Sequence, residues 1–486
     1  MTRPFAPLIA AAPLLLLAAC AVGPNYKRPA APAPVAFKEQ PPPGWKEAQP
    51  GDALLKGKWW ELYNDPALNA LEDQVALNNQ NVLQAEAQFR EARTAVRAAR
   101  SSLFPTLGVG ISSSVTRAGG SNSNLNALSG SSPAARITYS LPLDVSWEPD
   151  LWGSIRRGIT GAAETAQSFA ALVENARLLY QAELALDYFD IHGIDSDADL
   201  LTRTVASYQE FLTLTQARYT GGVASDLDVA QAESQLYSAQ SALTDLGVQR
   251  AQFEHAIANL VGKAPVDVSV PPMVLNTLPP PVPLGVPSQL LERRPDIAAS
   301  ERRVAAANEQ IGIAVAALYP SLSLSGSAGA QTGGLTKLIS APTYLWSLGG
   351  GLAQTLFDAG RRRAVIAGQE AAYDVTVATY RETVLMALQQ VEDNLAALRI
   401  LETEAAKLEQ AISSANRALT IATAQYRAGT TSYLTVLTSQ AALLSAQRNA
   451  VNLQTRRLIA SVQLIQALGG GWDAGQLPSV PTLTTK

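Results

Sequence analysis

Few side chains in this 486-residue chain could make or break bonds: it has two histidines, His192 and His255, and one cysteine, Cys20. The histidines lie 63 residues apart with no ligand-spaced partner, so neither a metal centre nor a general base is expected, and no catalytic set emerges. Gly349-Gly350-Gly351 falls inside an alternating, strand-like stretch and no Lys-Ser/Thr follows it, so it is not a phosphate loop. Cys20 is different. It ends Leu17-Ala18-Ala19-Cys20, behind an apolar run from Leu8 that is too short to cross a bilayer as a helix. A lone thiol at a small-residue cleavage site reads as an export signal over residues 1–19 and a lipid on Cys20 at the mature N-terminus. No other cofactor is expected. Lys+Arg (37) and Asp+Glu (41) nearly balance, which excludes a nucleic-acid binder led by phosphate neutralisation. Charged residues are 16% of the chain, well under the roughly 25% of ordinary soluble domains.

The elements around these sparse groups are unusual. Along Ile137, Tyr139, Leu141, Leu143, Val145 and Trp147 every second residue is apolar, with Thr138, Ser140, Pro142, Asp144 and Ser146 between them. Residues 103–116 and 321–330 repeat the pattern, and 344–357 carries it more weakly through Tyr344, Trp346, Leu348 and Leu352. Strands of about ten residues or more, oily on one face and small and polar on the other, suit the wall of a membrane β-barrel. Four strands cannot close a barrel, and open edges leave backbone groups unpaired in lipid, so the chain is expected to oligomerise. Residues 117–136 and 333–343 read as outward-facing loops.

The rest is helix. No proline falls between Pro149 and Pro265, or between Pro342 and Pro478. An apolar heptad seam runs through Val377, Tyr380, Val384, Ala387, Val391, Asn394, Leu398 and Leu401 to Leu419. Its counterpart runs from Ala170 to Leu212, broken by Arg177 and Asp187. A period near 3.5 predicts coiled-coil packing. Helices over 154–220 and 361–428 would each span about 100 Å at ~1.5 Å per residue. They should turn where Gly221, Gly222 or Gly429 suits a C-cap. Ser225 or Ser432 can then cap the returning helix, with Asp226 and Asp228 in the first turn.

The two halves repeat. At an offset of 207, Tyr219 matches Tyr426, Gly222 matches Gly429, Leu227 matches Leu434 and Gly262 matches Gly469. Leu103-Phe104-Pro105 matches Leu318-Tyr319-Pro320 at an offset of 215. One unit used twice is the simplest account. The expected division is 1–19 signal, 20–64 lipidated N-terminus with a Pro-rich wrap, 65–264 first repeat, 265–294 Pro-rich connector, 295–468 second repeat and 469–486 tail.

Cys20 and the small residues before it resemble a bacterial lipobox, and in such lipoproteins Ala21 favours the outer membrane over the inner. Further matches are Val22-Gly23-Pro24-Asn25-Tyr26-Lys27-Arg28-Pro29, Trp59-Trp60 leading to Asp65-Pro66-Ala67-Leu68, and Leu290-Leu291-Glu292-Arg293-Arg294-Pro295-Asp296-Ile297. Leu356-Phe357-Asp358-Ala359-Gly360-Arg361-Arg362 and Leu468-Gly469-Gly470-Gly471-Trp472 add to them. Through these the chain resembles the lipoprotein branch of the outer-membrane factor (TolC-like) family.

The resemblance implies an α+β membrane protein working as a homotrimer. Four strands per chain would build one 12-stranded barrel in outer-membrane lipid, and the coiled-coil helices a hollow periplasmic tube. A periplasmic adaptor and an inner-membrane pump of the resistance-nodulation-division type would be its partners, and small toxic compounds its cargo. Ducts for protein secretion or metal-ion efflux share the fold, although only three methionines are present, too few for a thioether ladder. The resemblance places an apolar constriction at Leu434. Thr438 stands where an acidic ring residue is usual and Ala441 where an arginine often follows, which leaves Asp226 and Asp228 as the acids of the gate. Their alternative reading is compensation of a helix dipole. The adaptor would dock on the tip residues Arg218, Tyr219, Gly221, Gly222, Tyr426, Arg427 and Gly429. Arg156-Arg157 and Arg361-Arg362-Arg363 are expected at the membrane interface, pairing with lipid phosphates or with carboxylates of a neighbouring subunit. Trp59, Trp60 and Trp472 are expected to pack in the middle domain, where the chain ends meet.

Overall fold

The computed structural model describes residues 21–40, 42, 57–117, 135–282, 287–336, 340 and 342–484. The signal, Cys20, most of the 117–136 loop and part of the 333–343 loop lie outside the described residues. Each half contains a short helix, a strand hairpin, a long helix and a returning helix. The first half has α1 (Pro66–Asn78), α2 (Gln80–Ser101), β1 (Thr106–Val109), β2 (Ser112–Thr116), β3 (Arg136–Trp147), α3 (Ser154–Thr220) and α4 (Asp226–Leu260). The second has α5 (Pro295–Ala316), β4 (Ser321–Thr332), β5 (Thr343–Ala353), α6 (Arg361–Arg427) and α7 (Tyr433–Ala467).

The long helices α3 and α6 have 67 residues each and the returning helices 35 each, so the duplication holds to the residue. The turns repeat as well. Gly222 and Gly429 adopt left-handed φ of 74° and 75°. In each turn the glycine N–H donates to the Tyr219 or Tyr426 carbonyl, and the next N–H to the Arg218 or Gln425 carbonyl. This pairing satisfies carbonyls that a helix end otherwise leaves bare.

The strands form one antiparallel sheet in the order β1/β2, β3, β4, β5. β1 and β2 share one register against β3, with Thr106 opposite Ser146 and Ser112 opposite Ser140. They are a single strand whose ladder is interrupted beside Pro142, which has no N–H to give; Gly110 still donates to the Pro142 carbonyl at 3.1 Å. Gly329 lies opposite Pro142 on β4, where any side chain would strike the Leu141 carbonyl. The register aligns the oily sets: Leu107 with Val145, Val109 with Leu143, Leu143 with Ala328, Ala328 with Trp346, and Leu322 with Leu352. Residues directly opposite one another share a face, so the sheet has one apolar face and one face of Ser, Thr and Gly. On the polar face the hydroxyls of Thr106 and Ser146 lie 2.7 Å apart, and those of Ser112 and Ser140 2.8 Å.

The main core lies midway along the helices. Trp59, Trp60 and Tyr63 pack there with Tyr188, Phe189, Tyr380 and Leu395. Trp472 is buried as well, in a separate small cluster with Ala171, Ala298 and Ala299. The seam of α6 is buried at Val377, Tyr380, Val384, Ala387 and Val391, and then at Leu395. Asn394, the heptad position, is only half-buried. Its amide turns back to donate to the Gln390 carbonyl, and the apolar neighbour takes the inner place. Of the two breaks in the α3 seam, Arg177 stands between Glu86 and Glu174, and Asp187 is half-buried.

Candidate functional site: strand wall and helix tips

The apolar face of the sheet is bare. Leu107, Trp346 and Leu348 are 67%, 78% and 82% exposed, and Tyr344 and Leu352 are similarly open. An apolar surface of this extent has to be covered by lipid or by protein. Among the described residues both edges of the sheet are also free, because β1/β2 pairs only with β3 and β5 only with β4. Among the described residues no helix is long and apolar enough to cross a membrane.

Where the wall meets the helices, the arginines find partners within the chain. Asp150 accepts the N–H groups of Ile155 and Arg156 and the Arg156 side chain. Asp358 does the same for Gly360 and Arg362, and the Arg362 guanidinium holds its carboxyl below the ordinary aspartate range. These carboxylates cap the starts of α3 and α6 and neutralise arginines that the dipole disfavours there. Arg157 is buried, ion-paired to Glu309 at 2.8 Å, and donates to the Val22 carbonyl. The expected pairing across subunits is therefore not needed for Arg156, Arg157 or Arg362. Trp152 stacks on Tyr319 at this level, with ring centroids 4.8 Å apart.

The N-terminal segment is bound along the helices. Val22 donates to the Trp152 carbonyl, and Asn308 donates to the Pro24 carbonyl. The Tyr26 hydroxyl donates to Glu301, and burial, reinforced by this contact, raises the tyrosine above its ordinary range. Arg28 donates to the Leu291 carbonyl and Arg381 to the Ala30 carbonyl. Glu392 accepts the backbone N–H groups of Lys38 and Glu39, and Arg399 pairs with Glu39. The motif residues Tyr26 and Arg28 thus hold a strap to the second half.

At the other end of the long helices, the structure brings four predicted tip residues together. The Arg218 guanidinium lies over the Tyr426 ring, 4.7 Å from its centroid, and donates to the Arg427 carbonyl at 3.2 Å. Gly429 lies alongside. Arg218 and Arg427 occupy the last turns of α3 and α6, where cations are favoured. Tyr426 and Tyr433 are buried with Tyr208, Leu212, Leu236 and Val436 in a small core that ties the two tips. One turn beyond Val436 on α7 the Gln440 amide is buried with no hydrogen-bond partner among the described residues.

The remaining tip residues point outward. Tyr219, Leu434 and its counterpart Leu227 are exposed, at 48%, 53% and 65%. Gly221 and Thr438 are exposed too, and the Thr438 hydroxyl donates to the Thr435 carbonyl. Asp228 is engaged in a capping box: it accepts from the Ser225 N–H while Ser225 accepts from the Asp228 N–H. That satisfies the helix-end reading of Asp228 and leaves Asp226 as the exposed acid. Ser432 stands at the same place before α7, but its hydroxyl makes no cap bond and no acid follows in the first turn. The two tips therefore differ in charge. The Arg218–Tyr426 contact was not foreseen from the sequence; the signal available was a pair of charge differences between the repeats, Arg218 against Gln425 and Thr220 against Arg427.

A duplicated hairpin sheet with one oily face, carried on helices about 100 Å long, defines a channel-wall protein of an outer membrane. The particular family follows from comparison: the sequence profile described as "Outer membrane efflux protein" matches residues 71–263 and 286–470, and the chain belongs to that family. It is an outer-membrane efflux channel, a transport protein. It is 32% identical to the solvent efflux pump outer membrane protein SrpC of Pseudomonas putida, over 95% of this chain and 98% of that protein. It is 31% identical to outer membrane protein OprJ of Pseudomonas aeruginosa, over 95% of each. The solved outer-membrane channel OprN superposes with a TM-score of 0.83 at 27% identity, covering 93% of this chain and all of that one.

Proposed function

We propose that three copies of this chain form the outer-membrane duct of a tripartite efflux pump. Twelve strands, four from each copy, close one barrel with the Leu107, Val145 and Trp346 face in lipid and the Ser/Thr/Gly face on water. The helices continue the bore through the periplasm to an adaptor and an inner-membrane pump, which supplies the energy. The observation that carries this reading is a sheet with two unpaired edges and one bare oily face; closure into a ring removes the edges and lipid covers the face. Relatives are named for solvent and antibiotic efflux, which supports small organic compounds as cargo.

Cys20 carries the lipid. In support, Ala21 lies against Gly153, at the junction of β3 and α3, so the strap begins at the foot of the strand wall, level with the Trp152–Tyr319 stack. The gate is at the tips. Leu434 supplies an apolar closure and Asp226 a field that favours cations, while Arg218, Tyr219, Arg427 and the glycine turns present a surface to the adaptor, with Tyr426 buried beneath Arg218 as its support and not part of that surface.

Reconstitution of the full chain tests both parts. The purified protein should run in detergent with the mass of a trimer, and a stable monomer contradicts the shared barrel. In planar bilayers Leu434→Ser should raise the closed-state conductance; an unchanged leak removes Leu434 from the gate.

A further inference from the structure

In the second half, the short helix α5 packs on two long helices, its own α6 and the preceding α3. In the first half, α2 packs on one, α3. The internal repeat therefore leaves one place on α2 and one on α6 unfilled, and the filled crossing of α3 with α5 shows what belongs there. On α3, Arg157, Gly161, Glu164 and Ala171 are buried, whereas their counterparts on α6, Ala364, Gly368, Ala371 and Ala378, are all exposed. On α5, Ala298, Ala299, Glu309 and Gly312 are buried, whereas Leu83, Gln84, Thr94 and Arg97 of α2 are exposed.

The contacts change in pairs between the two crossings. Arg302 and Glu164 form an ion pair of 2.8 Å; their counterparts are Ala87 and Ala371, so both charges are gone together. The Glu309 Cβ lies 3.3 Å from where a Gly161 Cβ would stand; the counterparts are Thr94 and Gly368, and the long helix keeps its glycine. Arg157 lies across Gly312; the counterparts are Ala364 and Arg97, so the arginine has moved to the other helix.

We infer that α6 of one protomer receives α2 of a second copy, in the register Ala364 to Arg97, Gly368 to Thr94 and Ala371 to Ala87. The displaced arginine fixes which repeat follows which. An α2 placed on α3 where α5 belongs sets Arg97 against Arg157, and an α5 placed on α6 where α2 belongs leaves Gly312 facing Ala364 across a gap. The ring then closes only with the two repeats alternating. This rests on the homotrimer proposed above and specifies its contact.

Cys20 is the only native cysteine, so introduced disulfides are unambiguous. In the full-length chain expressed in membranes, Gly368→Cys with Thr94→Cys should join neighbouring copies, because the template spacing is close to the Cβ separation of roughly 3.5–4.5 Å that a disulfide needs. Gly368→Cys with Ala87→Cys, two turns away, should not. Ala364→Arg should lower trimer yield by about tenfold or more through like-charge contact with Arg97. Adding Arg97→Gly recreates the arginine-over-glycine crossing and should restore the trimer. Failure of the double variant to recover, or no effect of Ala364→Arg alone, overturns the exchange. Crosslinking through residue 87, or through neither while the trimer persists, overturns the register. A wild-type chain that is not a trimer overturns instead the reading on which the register rests.

Discussion

Arg157 and Glu309 offer a sharp energetic test. Their side chains are only 6% and 11% exposed and meet at 2.8 Å, beneath the strap that begins at Ala21. Removing one partner strands the other charge in a poorly hydrated site, which typically costs about 3–5 kcal/mol. Replacing both by apolar residues of similar volume removes the charge problem and should cost far less. The set is Glu309→Leu, Arg157→Met and the double variant, followed by chemical unfolding of the detergent-solubilised protein through its helical signal. Each single variant should lose about 3 kcal/mol or more, and the double variant less than either one. Gly312→Ala belongs in the same series, because its methyl enters the space of the Arg157 chain and should cost about 1–3 kcal/mol by overpacking. If the two single losses simply add in the double variant, Arg157 and Glu309 do not act as a buried pair.

Other outcomes follow from the tube and the wall. Burial, reinforced by Glu183 and Asp190, lifts Asp187 to about 7. A carboxyl that binds its proton more tightly folded than unfolded loses stability as pH rises from about 4 to about 7; Asp187→Asn should flatten that decline in pH-dependent unfolding and leave the protein more stable above pH 7. On β5, Trp346 and Ser347 are neighbours on opposite faces. Trp346→Arg should oppose membrane insertion by about 2–4 kcal/mol near the midplane, whereas Ser347→Arg should insert normally and shift ion selectivity; equal insertion of the two variants contradicts the facing of the sheet.

The sequence was most legible where a feature is written locally. The long proline-free runs allowed α3 and α6 and the glycine turns ended them, so that 154–220 and 361–428 match the helices to within a residue, and the alternation in β3 and β4 marked the oily face. Gly222 and Gly429 announced the turns, because a left-handed φ is open to glycine and to few other residues. Asp150 and Asp358 lie within six residues of the arginines they hold, and such pairs could be found by spacing alone. What stayed hidden depends on contacts between distant parts of the chain. The break between β1 and β2 comes from Pro142, about thirty residues away on the partner strand. Leu395 displaces Asn394 from the seam because surrounding helices, and not the heptad, fix the buried face. The Arg218 contact with Tyr426 joins two helix ends that carry no common periodicity, so only the charge difference between repeats hinted at it.

The strap has a mechanical consequence. Residues 22–39 are fastened at successive points by Trp152, Asn308, Glu301, Leu291, Arg381, Glu392 and Arg399. It runs from the foot of the strand wall along the helices, so with the proposed lipid on Cys20 a tug from the membrane would act along its length. Bonds loaded lengthwise share tension, whereas bonds opened one after another from an end fail singly. The segment is thus rigged as a guy rope. Bending or thinning of the bilayer would be resisted by the stiff shaft as a whole, and the hydrogen bonds that seal the strands would be spared the strain.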